Sequence, residues 1–357
     1  MNVGILTFPN SISYGAVLQM YALYHAVETL GHVPEVINYQ NTYMKEQKHT
    51  RRGSWAHQAA GRLLHHRMYR NFGRFEKNRM VRYPGMAISD PQKLSGLTDR
   101  YDAVICGSDQ VWNPDITGGD LSYFLHFCDE HTRRVAYAPS IGLSEFSDGF
   151  SNAIRGDLEK FHALSVREAP GQVLMEQLLG MNVPLVCDPT LLMDADDWAK
   201  LEKAHPAADG EYVFFYTIRS SAALWNQCRA FAKEKGLKIV AVGGNPLKQW
   251  KQKDEQVRYA VDISPEEWLY LIHHARYVFT NSFHGTAFSI NYRKDFYVEF
   301  SSLTNSRLEQ ITRTLGLHGR IVGNEVPDGA SADYSVAEQV LPEMKMTSMN
   351  YLSDALK

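Results

Sequence analysis

The sequence predicts an α/β protein built from two Rossmann-like domains facing a cleft. Three observations point there. Short apolar runs alternate with stretches of helical periodicity along most of the chain. The alternation breaks at Asp188 to Gly210, where Pro189, Asp194, Asp196, Asp197, Pro206 and Gly210 gather. Finally, the 357 residues, at about 150 per domain, provide for two cores. Domains are therefore expected at 1–190 and 191–330, with a C-terminal tail at 331–357 that can be helical. Two such units in tandem leave a cleft between their strand ends, the usual place for a two-substrate transfer.

Each element follows from its own stretch of sequence. Val3 to Phe8 is an apolar run closed by Pro9-Asn10-Ser11 and reads as the first strand. From Gly15 onward Ala16, Val17, Met20, Leu23, Tyr24, Val27 and Leu30 recur at helical spacing until Gly31 ends the helix. Val33 to Tyr39 is a second strand. The chain thus opens as a β-loop-α-β unit, with Ser11 to Gly15 at a strand's carboxyl end, where parallel sheets bind ligands. That loop lacks Gly-x-Gly-x-x-Gly, and no dinucleotide is inferred from it. Strands follow at Tyr101 to Cys106, Val135 to Ala138, Leu164 to Arg167 and Val183 to Cys187, with a helix over Ala169 to Leu179. Beyond the break, strands are expected at Tyr212 to Ile218, Leu237 to Val242, Tyr277 to Thr280 and Phe296 to Phe300. Helices fill the gaps at Ala222 to Lys235, Pro265 to Ala275, Thr286 to Tyr292 and Arg307 to Leu315.

Charge narrows the partners. A balance of 37 Lys and Arg against 40 Asp and Glu gives a net charge of -3, too little cation for a dedicated duplex-binding protein. That average conceals a segregation. Met44 to Arg82 hold eleven Lys and Arg against two Glu, nine positive charges in excess, which leaves the remainder twelve negative and argues against nucleic acid. Within this helical insertion at 44–82, Leu64, Met68, Phe72 and Phe75 fall on one stripe, with Arg62, Arg67, Arg70, Arg74 and Lys77 around the rest. Such a helix can lie on an anionic membrane, or pack its stripe on its own domain and leave the arginines solvated. No run approaches the roughly 18 apolar residues of a spanning helix, and Met1 to Leu6 lacks the basic start of a signal peptide. A cytoplasmic location is expected. Cys106, Cys128, Cys187 and Cys228 are too widely spaced for a zinc pair and read as buried free thiols.

Three loops carry groups that can do chemistry. Thr280 to Thr286 joins a strand to a helix, so Asn281, Ser282, Gly285 and Thr286 could turn N–H groups and hydroxyls on an anion at the helix N-terminus. His284 in that loop could donate to a phosphate or act as a general acid; the bland reading is a capping loop with a backbone-bonded histidine. Arg167 and Arg219 each stand at a strand end and could clamp a carboxylate or phosphate, or be solvated or paired with an acid such as Glu168. Asp109, Gln110 and Asn113 can hydrogen-bond sugar hydroxyls, and an exposed Trp112 would offer its face to a pyranose ring. Asp109 could also take a proton from a hydroxyl, whereas a structural loop would use it as a cap and Trp112 as core. His273 and His274 are adjacent, face different sides of a helix and are not read as chelators, so no metal is expected.

Several of these stretches, taken in order, resemble one family, the polysaccharide pyruvyl transferases. The resemblance runs from about Val3 to Gly319. It rests on Gly4-Ile5-Leu6-Thr7-Phe8 with Tyr14-Gly15-Ala16-Val17-Leu18-Gln19, then Gly107-Ser108-Asp109-Gln110-Val111-Trp112-Asn113, Ser165-Val166-Arg167-Glu168, Asp188-Pro189-Thr190 and Ser282-Phe283-His284-Gly285. It implies a GT-B-like pair of domains that moves pyruvate from phosphoenolpyruvate onto a sugar as a cyclic ketal, releasing phosphate, with no cofactor beyond that donor. The family's donor histidine falls on His284 and a donor arginine on Arg167. Donor contacts would come from Arg167 in the first domain and from Arg219, Asn281, Ser282, His284, Gly285 and Thr286 in the second. Acceptor contacts would come from Ser13, Tyr14, Gly15, Asp109, Gln110, Trp112 and Asn113 in the first, with His284 as acid, Asp109 as base and Arg167 on the donor.

Many members carry Arg-Leu-His-Gly at the last motif, and Ser282-Phe283-His284-Gly285 lacks that arginine. Arg219 or another arginine would then supply the charge. Two alternatives stay open. One is a GT-B glycosyltransferase with a nucleotide-sugar donor, for which Gly243-Gly244-Asn245 and Glu266-Glu267 are thin support. The other is a non-catalytic glycan-binding relative. The implied partners are phosphoenolpyruvate, a glycan or lipid-linked sugar acceptor and, through 44–82, the inner face of an anionic membrane.

Overall fold

A computed structural model of the chain describes residues 1–51, 65–242, 254–300, 305–323 and 325–357, without the side chains of 48–51 and 305. Leu64 of the stripe, Arg62 beside it and Gly243-Gly244-Asn245 lie outside them. The chain forms two compact units. The first is Met1–Leu192 with Met344–Lys357, and the second is Met193–Glu343.

The first unit holds a six-stranded sheet of β1 (Asn2–Leu6), β2 (Val33–Tyr39), β3 (Arg82–Ile88), β4 (Ala103–Cys106), β5 (Arg133–Ala136) and β6 (Ala163–Leu164). Its order is β3-β2-β1-β4-β5-β6, and every pairing is parallel. Val3 sits between Pro34 and Ala103 in register. All of β4, Ala-Val-Ile-Cys, is buried, as a strand covered by helices on both faces must be. Its helices are α1 (Tyr14–Thr29), α2 (Thr42–Arg51), α3 (His66–Arg79), α4 (Pro114–Thr117), α5 (Asp148–Leu158) and α6 (Ala169–Leu179).

The second unit repeats the plan with β7 (Tyr212–Tyr216), β8 (Lys238–Val242), β9 (Val257–Ala260), β10 (Tyr277–Thr280) and β11 (Asp295–Val298). The order is β11-β10-β7-β8-β9, again all parallel. Around it lie α7 (Ala195–Ala199), α8 (Ala222–Glu234), α9 (Pro265–His273), α10 (Phe283–Asn291), α11 (Asn305–Thr314) and α12 (Ser335–Ala355). Both orders are Rossmann-like.

Three expectations change. Val183 to Cys187 is not a strand: it makes an isolated bridge from Leu185 to Val166, because Pro184 has no N–H to continue a ladder. The strands β3 and β9 were not anticipated. β3 is a mostly exposed edge containing Pro84 and Gly85, a composition that strand patterning rejects. Residues 331–357, expected as a tail, divide between the units. α12 starts in the second, and its later residues join the first, where Ser348 Oγ accepts from Cys187 N at 2.9 Å and the Tyr351 hydroxyl donates to Ala136 O at 2.9 Å.

The basic segment packs at home. Phe72 and Phe75 of α3 are buried, their rings 5.0 Å from Tyr14 and 5.6 Å from Tyr21 of α1. Arg67, Arg70, Arg74 and Lys77 remain exposed. No helix among the described residues is long and apolar enough to cross a membrane. All four cysteines are free and buried. Burial pushes every thiol up, Cys187 to about 11 and Cys128 to about 12, so none is a thiolate nucleophile near neutrality.

Candidate functional site

In a doubly wound sheet, ligands bind beyond the carboxyl ends of the strands where the strand order reverses. In the first sheet that point lies between β1 and β4, and in the second between β7 and β10. The loops that follow these four strands hold Ser11 to Gly15, Gly107 to Asn113, Thr217 to Ser221 and Asn281 to His284. The motifs picked out from sequence therefore flank both reversal points.

At the first, a buried polar web fixes the loops. Gln19 Nε2 donates to Thr7 Oγ1 at 3.1 Å, Thr7 Oγ1 donates to Ser108 O at 2.9 Å, and Gln19 Oε1 accepts from Ser108 N at 3.3 Å. Gly107 has to be glycine: its φ is 124°, and a Cβ there would lie 2.1 Å from Tyr137 O. Glu168 Oε1 accepts from Ser140 Oγ, Ile141 N and Gly142 N at 2.7–3.0 Å. Asp188 takes Arg167 Nη1 at 2.6 Å on one oxygen and Thr190 N and Oγ1 on the other. Asp109, at φ 75°, is partly exposed and accepts from Gln110 N at 2.9 Å.

This geometry corrects several acceptor assignments and shows Arg167 paired with acids. Trp112 is fully buried, stacked on Phe124 at 5.2 Å with its indole N–H on Tyr123 O at 2.9 Å, so it cannot stack on a sugar. Asn113 is buried and caps α4 by accepting from Asp115 N. Ser13 caps α1, whose first residues Tyr14 and Gly15 are buried. Arg167 is also buried, between Asp188 and Glu168. Burial alone would lower its pKa, and the carboxylates of Asp188, Glu168 and Asp109 more than reverse that. Through these pairs Arg167 links the end of β6 to Asp188, with Ser108 Oγ at 3.4 Å from its Nη1.

At the second point, Asn281 joins the two loops. Its Oδ1 accepts from Ile218 N and its Nδ2 donates to Arg219 O, both at 3.0 Å. Ser282 caps α10, accepting from Gly285 N at 3.3 Å, and Thr286 Oγ1 donates back to Ser282 O. The hydroxyls expected to meet an anion are therefore turned inward, with Thr286 fully buried. Gly285 lets α10 approach β10, since a Cβ would stand 2.4 Å from Thr280 Oγ1. Arg219 is exposed and His284 half-buried at this reversal point.

Sequence reading missed a small polar cavity beside β1 and β2, lined by Asn10, Ser11, Tyr39, Gln40, Asn41 and Lys45 among others. Its walls are held by Asp120, which accepts from the Tyr39 hydroxyl at 2.5 Å and Asn41 Nδ2 at 2.6 Å. Ser11 belongs to the loop after β1 that the sequence marked, but no motif marks Tyr39, Gln40, Asn41 or Lys45. His273 and His274, expected on different sides of a helix, instead converge on Glu202, at 2.7 and 3.3 Å.

A family model described as polysaccharide pyruvyl transferase matches residues 14–298. Among solved structures, the chain is similar to UDP-GlcNAc 2-epimerase from Methanocaldococcus jannaschii, at 11% identity and a TM-score of 0.52, over 98% of this chain and 93% of that one. It is likewise similar to UDP-GlcNAc 2-epimerase from Neisseria meningitidis bound to UDP-GlcNAc, at 14% identity and a TM-score of 0.50, over 99% and 97% of the two chains. At such identity the likeness concerns the fold, a GT-B-like pair of Rossmann-like domains. No curated protein matches the sequence.

Proposed function

Because the chain belongs to the polysaccharide pyruvyl transferase family, we propose that it moves pyruvate from phosphoenolpyruvate onto a sugar as a cyclic ketal. The observation that carries this reading is the Asn281 splice, which keeps an exposed arginine, Arg219, and a half-buried histidine, His284, at one reversal point. In this scheme Arg219 binds the donor's carboxylate and phosphate and takes the place of the arginine missing from the last motif. His284 delivers a proton to the donor's terminal carbon, a sugar hydroxyl attacks the adjacent carbon, phosphate leaves, and a second hydroxyl closes the ring. Of the two hydroxyl protons lost, one balances the new methyl group and the other leaves with phosphate. Asp109 is the base on the acceptor side, and the cavity at Asn10, Gln40, Asn41 and Lys45 is the reading's sugar site. Arg167 is a positioning residue. The exposed arginines of α3 would hold the enzyme against an anionic inner membrane surface, where a lipid-linked acceptor is presented.

The test is phosphate release from phosphoenolpyruvate against galactose-, mannose- and glucose-terminated acceptors, one of them linked to a lipid diphosphate. With a competent acceptor, His284→Gln should lower kcat by about a hundredfold or more, and Arg219→Ala should raise the KM for phosphoenolpyruvate about tenfold. Near-normal turnover in His284→Gln would remove it from the mechanism. Stabilisation by uridine or guanosine diphosphate, with none by phosphoenolpyruvate, would favour a nucleotide-sugar donor instead.

A further inference from the structure

Neighbouring side chains on a helix point about 100° apart, so adjacent histidines seldom share a ligand. Here the helix ends between them. His273 is the last residue of α9 and His274 its cap, at φ -88° and ψ 1°, which turns the second ring toward the first; their centroids are 4.9 Å apart. Tyr292 stacks on His273 at 4.2 Å, and Tyr270 packs on His274 at 4.1 Å, so both imidazoles are held from behind. Glu202, just beyond α7, faces them with one oxygen each: Oε1 lies 2.7 Å from His273 Nδ1 and Oε2 3.3 Å from His274 Nε2. Its side chain is only 8% exposed, against 34% and 47% for the histidines.

We propose that Glu202, His273 and His274 form a binding site for a divalent transition cation of the zinc class. One atom from each residue can be chosen so that all lie within 4.8 Å of one another, whereas a zinc ion with bonds of about 2.0–2.2 Å holds its ligands roughly 3.3 Å apart. The His274 ring, 47% exposed, can tilt to close that gap with Tyr270 still behind it, and its open side leaves room for a water as fourth ligand. Two imidazoles and one carboxylate favour zinc, nickel or copper over magnesium or calcium. The negative end of the α9 dipole adds to the attraction. Lys294 opposes it, but its Nζ is held on His273 O at 2.6 Å. The cluster precedes β10, at the opposite end of that strand from His284, so the ion would tie Glu202 to the end of α9 and take no part in the transfer.

The test uses full-length, tag-free protein stripped with a chelator and titrated calorimetrically with zinc chloride. One equivalent should bind, raise the unfolding temperature and be ignored in a parallel titration with magnesium. His274→Gln and Glu202→Gln, each with an unchanged circular dichroism spectrum, should weaken zinc at least tenfold. Cobalt should give a visible ligand-field band that both variants lose. No binding, or binding of equal strength in both variants, would overturn the site.

Discussion

Arg167 is a motif residue whose guanidinium sits among the protein's own carboxylates. Its guanidinium and the carboxylates of Asp188 and Glu168 are all buried, so Arg167→Ala would strand two charges. The expected cost is about 3–5 kcal/mol in urea unfolding; an unchanged midpoint with lost donor binding would return Arg167 to the donor site. Trp112→Ala is expected to cost a similar ~3–5 kcal/mol through the cavity it leaves, with the KM for acceptor unchanged in whatever folds. Both residues were legible as members of motifs, and for each the sequence held a structural reading beside the functional one, core for Trp112 and pairing with Glu168 for Arg167, which the fold realises. A tryptophan among Asp, Gln and Asn looks exposed, and the wall that covers it, Tyr123 and Phe124, comes from a later turn that no local pattern connects to it.

Elements were more legible than roles, and the failures have a common cause. α1, α6 and the central strands carry periodic apolar residues because they are buried on a defined face or on both faces. β3 lies on an edge, and its signal is diluted by Pro84, Gly85 and exposed side chains; the run at Val183 looked apolar enough but Pro184 denied it a ladder. The turn into α10 combines a cap and a close approach. Gly285→Ala would press a methyl group on Thr280 Oγ1 and should destabilise by about 1–3 kcal/mol. Because α10 carries His284, the substitution should also lower phosphate release, which thermal melts and turnover measured on the same sample would reveal together.

At the scale of the whole molecule, charge segregation has a consequence that differs with packing. With Phe72 and Phe75 already buried against α1, membrane contact by α3 would rest chiefly on its charges. Binding to phosphatidylserine vesicles should therefore disappear as salt shortens the screening length to about 10 Å at 0.1 M and below that beyond it. Arg67→Glu, Arg70→Glu and Arg74→Glu together should abolish it at low salt. Binding that survives high salt would mean insertion of apolar side chains. The two-domain plan was legible because it repeats βα units; the reversal points that organise the site are a property of strand order, which sequence alone does not state. The first domain's Cys187 amide finds its acceptor on Ser348, 161 positions onward, and Tyr351 reaches back to Ala136 across 215. Contacts so distant form late. A ribosome that has already extruded every strand of the first sheet is still carrying an unfinished domain, which must wait for the whole of the second to be synthesised before residues 344–357 complete it.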